Sequence, residues 1–142
     1  MRRLQIAIVV PIALLTAIVI TASAADAGKN PHSVKSKVAI KSASTSKATD
    51  TWVFKGKVTS KNDKCVAGRR VKIFVAEPLR QKGAAPEGPV AKGRTKANGR
   101  FVADTHQQLL LVAKYRAVVA EREHKDVTCM SAESKEFLPP FA

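Results

Sequence analysis

Residues 52–60 read Trp-Val-Phe-Lys-Gly-Lys-Val-Thr-Ser, and residues 70–75 read Arg-Val-Lys-Ile-Phe-Val. In the first run Trp52, Phe54, Gly56 and Val58 fall on one face of an extended chain, with Lys55, Lys57 and Thr59 on the other. In the second run Val71, Ile73 and Val75 alternate, although Phe74 makes that run apolar on both sides. A period of two, carried by β-branched and aromatic residues, belongs to strands rather than helices. Between the runs lies a polar turn holding Lys61-Asn62-Asp63-Lys64, Cys65 and Gly68. The stretch therefore reads as strand, turn, strand, a pair that begins an antiparallel sheet with one wet face.

Working towards the C-terminus, Pro78 to Pro89 is rich in Pro and Gly and reads as an irregular excursion. Val90–Thr95 leads into Lys-Ala-Asn-Gly and out through Arg100–Ala103, a hairpin whose Asn98-Gly99 tolerates positive φ. Leu109–Leu111 lacks alternation and fits either a turn of helix or a buried crossover. Lys114–Glu123 reads as another strand, a turn through His124–Asp126 carries Cys129, and Ser131–Phe137 reads as the last strand. Short strands with frequent turns and no long amphipathic helix predict an all-β fold. The expected architecture is an antiparallel Ig-like or prealbumin-like β-sandwich of about seven strands. It should occupy residues 51–138, followed by a tail at 139–142.

Working towards the N-terminus, residues 25–50 are dominated by Lys, Ser, Thr and Ala, and Gly28–Asp50 shows no periodic apolar pattern. Such a segment buries too little surface to offset its ordering entropy and reads as a flexible basic linker. Its alternative roles are a basic arm on anionic polymers, or a brief extra strand through Val34, Val38 and Ile40. Residues 1–24 have the layout of a signal peptide: Arg2-Arg3, an apolar run from Leu4 to Ile20, and Ala22-Ser23-Ala24 for cleavage. An uncleaved anchor is the other reading, since the apolar run is long enough to span a bilayer. Pro11 and the small residues at its end favour cleavage after Ala24, and hence a secreted or extracytoplasmic protein.

Lys plus Arg is 25 against 11 acids, a formal net charge of +14. Cleavage after Ala24 removes Arg2 and Arg3 and no acid, which lowers that charge by two. Such a balance suits anionic surroundings, whether nucleic acid, anionic lipid or acidic envelope polymers. The basic side chains closest to the core strands, Lys55, Lys57, Arg69, Arg70 and Lys72, form the candidate binding surface. The two cysteines can be placed by topology. Cys65 follows the first strand, Cys129 follows the strand at 114–123, and four traverses separate them. An even number of traverses returns the chain to the same end of a sandwich, within the short reach a disulfide requires. In an exported chain a Cys65–Cys129 bond is expected, two free buried thiols being the alternative.

A resemblance rests on Phe54-Lys-Gly-Lys-Val58, Val66-Ala-Gly68 before Val71-Lys-Ile73, Thr95-Lys-Ala-Asn-Gly-Arg-Phe101 and Lys114-Tyr-Arg-Ala-Val118. Over about residues 53–137 the chain resembles the carboxypeptidase regulatory-like domain, a prealbumin-like (transthyretin-like) sandwich. It is most similar to short secreted bacterial forms with two cysteines. Ala113-Lys114 stands before Tyr115 where that family usually has Gly. The resemblance implies a non-catalytic accessory module.

The search for chemistry agrees with that implication. His32, His106 and His124 have no metal-ligand spacing, and Asp104-Thr105-His106 lacks an activated nucleophile. Glu121 and Glu123 flank Arg122 and read as solvated. No Gly-rich phosphate loop and no spaced aromatics for base stacking are present, so sequence-specific nucleic-acid reading has no support. Lys55 and Lys57 could begin a Lys–Asn isopeptide bond, but Ser131–Phe137 holds no Asn, so none is expected. The expectation is a cofactor-free, non-enzymatic, monomeric structural or interaction module of the cell envelope. Its partner is an anionic envelope polymer, a carbohydrate or another envelope protein, with membrane contact only through an uncleaved signal segment.

Overall fold

A computed structural model describes residues 31–46, 51–78, 86–105 and 113–140. The strands are β1 (His32–Val34), β2 (Ser36–Ser46), β3 (Thr51–Ser60), β4 (Arg70–Pro78) and β5 (Ala91–Thr95). They continue with β6 (Arg100–Thr105), β7 (Ala113–Val119), β8 (Arg122–Glu123), β9 (Val127–Cys129) and β10 (Ala132–Glu133). One short 3-10 turn, Asp63–Cys65, follows β3. The fold is all-β: an antiparallel sheet ordered β10-β7-β4-β5-β6-β3-β2, and a small sheet ordered β1-β9-β8.

The large sheet curls on itself. Phe54 on β3 and Tyr115 on β7 are separated in strand order by β4, β5 and β6, yet their rings meet with centroids 5.0 Å apart. The alternation predicted from sequence places the core. Trp52, Phe54 and Val58 from β3, Val71, Ile73 and Val75 from β4, and Phe101 and Ala103 from β6 are all buried. Tyr115, Ala117 and Val119 of β7 face them, and β2 closes the layer with Val38, Ile40 and Ala43. Gly56 has a packing reason: a Cβ there would run into the Phe101 ring and the Ala39 carbonyl of β2.

Four expectations are corrected. The strands at 52–60 and 70–75 do not pair with one another. β3 pairs with β2 and β6, and β4 with β5 and β7, because the turn after β3 carries the chain to the other side of the barrel-like curl. The supposed linker at 25–50 is not a linker over residues 32–46. There β1, which holds Val34, runs parallel to β9, and β2, which holds Val38 and Ile40, pairs with β3 along its whole length, so the one brief strand considered through these residues is two strands in two sheets. A bulge between Ile40 and Ser42 shifts the buried positions from Val38 and Ile40 to Ala43, and that slip hides the alternation.

The strand expected over 114–123 breaks after Val119, and Arg122–Glu123 joins the small sheet. The last strand is shorter than 131–137. Only Ala132 and Glu133 pair regularly with β7, and Phe137 rejoins by a bridge to Tyr115. In between, Ser134 bonds both ways with Ala117, donating its amide to the carbonyl and accepting the amide on Oγ. The signal-peptide region 1–24, residues 47–50, His106 and Leu109–Leu111 lie outside the described residues.

Cys65 and Cys129 are disulfide-bonded, with Cα atoms 5.2 Å apart. The bond ties the turn after β3 to β9, and Cys65, Cys129 and Val127 form a second small core against Val34. Among the described residues no helix is long and apolar enough to cross a membrane.

Candidate functional site

Register decides where the charge lies on the outer face of the large sheet. Across β4-β5-β6-β3-β2, one row of paired positions reads Lys72, Lys92, Asp104, Val53, Ser44. The next row reads Arg70, Arg94, Val102, Lys55, Ser42. A third, shorter row pairs Arg100 with Lys57 and Lys57 with Ala39, and a fourth pairs Thr59 with Lys37. Lys41 stands in the β2 bulge beside the third row, where it lines a shallow depression with Lys57, Lys96, Arg100 and Val102. Arg70, Lys72, Lys92 and Arg94 rim a second depression one step away.

Three pairs in these rows place like charges directly opposite: Arg70 with Arg94, Lys72 with Lys92, and Lys57 with Arg100. All six residues are exposed. Like charges at opposed positions destabilise a sheet by roughly 0.2–1 kcal/mol each, less where solvent screens them. Asp104 is the sole acid within the rows. The ion pairs among the described residues lie elsewhere: Lys64 with Asp126, Lys114 with Glu77 and Glu136, and Arg116 with Glu133. Those contacts depress the Asp126 carboxyl, chiefly through its bond from Lys64, and raise the Lys114 ammonium through Glu77 and Glu136. Four acids are thus taken up by Lys64, Lys114 and Arg116, and among the described residues no ion pair neutralises the cations of these rows.

Of the five basic residues singled out in the sequence, Lys55, Lys57, Arg70 and Lys72 sit on this face. Arg69 does not, and its assignment to the binding surface is corrected: it is 1 % exposed. One guanidinium nitrogen donates to Ser36 Oγ and the Cys65 carbonyl, both at 3.0 Å. The other donates to the Ala120 carbonyl at 2.6 Å and the Met130 carbonyl at 3.1 Å. Burial first, then the nearby Arg122, push its pKa below the ordinary guanidinium value. Arg69 joins the large sheet to the disulfide-bonded end and has no surface role. A signal for this was present, since residue 69 shares the parity of Val71, Ile73 and Val75.

Thr95 is the neighbouring stitch. Its hydroxyl donates to the Val66 carbonyl at 2.6 Å and accepts the Arg69 amide at 2.8 Å, and its carbonyl takes the Gly68 amide at 2.9 Å. Sequence reasoning missed Lys92, Arg94 and Arg100, which sit in the middle of the cationic rows. Their alternation against Ala91, Gly93, Thr95 and Phe101 could have found them.

His32 is exposed, and His124 Nε2 lies 3.0 Å from the Lys64 carbonyl oxygen. Glu121 and Glu123 are exposed, as is Asp104. Among the described residues no group of three His, Cys, Asp or Glu side chains is placed to hold a metal ion. Set against known proteins, the chain matches no family model, no curated sequence and no solved structure.

Proposed function

We propose that this is a non-catalytic, exported module that holds an anionic polymer of the cell envelope or its surroundings on the outer face of β2–β6. One observation carries the reading. Arg70–Arg94, Lys72–Lys92 and Lys57–Arg100 oppose like charges on neighbouring strands, an arrangement unfavourable to the fold alone and relieved by a bound polyanion. The N-terminal pattern of Arg2-Arg3, apolar run and Ala22-Ser23-Ala24, together with the Cys65–Cys129 bond, supports export and an oxidising compartment. The glycine- and threonine-based resemblance to carboxypeptidase regulatory-like domains supports an accessory role.

Chromatography on immobilised heparin tests the reading. The protein is expected to be retained at low salt and to elute as salt screens the contacts. Neutralising Arg94 and Lys57 together should move elution to clearly lower salt, whereas neutralising Lys64 and Lys114 together should not. Elution at the same salt as an inert protein of equal charge, or equal shifts for both double variants, would refute it.

A further inference from the structure

The cations on the outer face do not cover it evenly; they run diagonally. In the first row they stand on β4 and β5, as Lys72 and Lys92. In the second they reach from Arg70 and Arg94 to Lys55 on β3, and in the third they have moved to Arg100 and Lys57. Lys41 and Lys37 continue the line on β2. The corner left off the diagonal is acidic or neutral: Asp104, Val53, Ser44 and Ser42.

Resting on the polyanion reading above, we propose that the ligand is a single, flexible phosphodiester-linked chain, gripped by its backbone and laid across the strands from β4 to β2. Three features fix that class. First, successive cations along the diagonal, such as Lys72, Arg94 and Arg100, are one strand and one two-residue step apart, about 8 Å. A ligand that meets them in turn carries its charges at about that interval, as an extended phosphodiester strand does. Second, the face is the convex outside of a sheet curled until Phe54 meets Tyr115. A flexible chain can follow such a surface, whereas a stiff duplex touches it over only a few phosphates. Third, the residues between the cations are Val102 and Ala39 rather than aromatics, so nothing in the rows stacks on bases and the grip is indifferent to side groups.

The band has a length. Strand spacing and the rise along each strand give a diagonal of roughly 25–30 Å from Lys72 to Lys37, room for about four or five charges. Arginine supplies paired donors to phosphate oxygens at Arg70, Arg94 and Arg100, and the lysines serve as point charges.

Oligothymidylates of about two, five and ten phosphates, and a duplex of equal phosphate number, are the probes, with binding followed by fluorescence anisotropy over a salt series. Affinity is expected to climb steeply up to about five phosphates and then level off, with a slope of log K on log salt near −3. Arg94→Gln and Lys57→Gln should each lower the steepness by about 0.7, and Lys125→Gln should leave it unchanged. A duplex that binds as tightly as the single strand overturns the proposal, and so does an affinity independent of length. Equal effects of Lys125→Gln and Arg94→Gln overturn the diagonal path. Retention on heparin without binding of any oligothymidylate refutes this ligand class and leaves the polyanion reading standing, whereas failure on both refutes the two together.

Discussion

Arg70 on β4 and Arg94 on β5 occupy directly paired positions, both exposed, with a second like-charge pair, Lys72 and Lys92, one step along the same two strands. Replacing one member by an acid should therefore separate stability from binding. Arg94→Glu converts a repulsive cross-strand pair into an attractive one and is expected to raise the melting temperature by a few degrees. The same change should cut retention on heparin. A variant that loses stability and retention together would show that the pair serves the fold.

Arg69 and Arg70 are neighbours with opposite roles. Arg69→Ala leaves the Cys65, Ala120 and Met130 carbonyls without their donor in a buried site and should destabilise by about 3 kcal/mol or more. Arg70→Ala removes one partner of a like-charge pair and should change stability by less than about 0.5 kcal/mol. Denaturant titration of both variants decides the matter; similar losses would mean that Arg69 is not the internal hub.

The Cys65–Cys129 bond closes a loop with a sequence separation of 64, worth about 4 kcal/mol in the chain-entropy account. Cys65→Ser and Cys129→Ser should each lower the melting temperature by roughly 10 °C or more. The double variant should be no worse than either single, because one bond is lost in all three. Thiol titration of the unreduced protein should find no free cysteine.

Tyr115 is the chain's one tyrosine, and burial pushes its pKa up to about 12. The unfolded chain ionises near pH 10, so the folded state holds its proton where the unfolded state releases it. Stability from this source is complete below pH 10 and is lost as pH rises through about 12, a change of about 2–3 kcal/mol. Absorbance at a tyrosinate wavelength should stay flat through pH 10–11 and rise only together with unfolding, followed through Trp52, which is also buried. A reversible tyrosinate signal near pH 10 in folded protein would contradict the burial.

Gly56→Ala should destabilise by roughly 1–3 kcal/mol, because the added methyl meets both a ring and a backbone carbonyl. Phe101→Leu in the same chain should restore only part of the loss, since the Ala39 carbonyl is still in the way. The urea midpoints of the single and double variants test this directly.

Alternation in 52–60 and 70–75 was enough to place those strands and to choose Trp52, Phe54, Val71 and Ile73 for the core, since side-chain parity is a local property of extended backbone. The Asn98-Gly99 turn was legible for the same reason: Gly99 adopts φ +78°, and Asn98 Oδ1 accepts the Arg100 amide. The cysteine pairing followed from counting traverses, which needs strand number but not strand order.

Strand order was another matter. Which strands become neighbours depends on hydrogen bonds between segments far apart in the chain, so only the tertiary structure could join β3 to β6 and separate it from β4. β2 was hidden because its serines carry no apolar signal and its bulge interrupts the period, while its stability comes from a partner, β3, that local sequence does not announce. The diagonal band has the same origin. Composition determined that this protein is strongly basic, and alternation determined that Lys55 and Lys57 face outwards. Register, set by long-range pairing of five strands, decided that Arg70 meets Arg94 and that the outward charges form a single line.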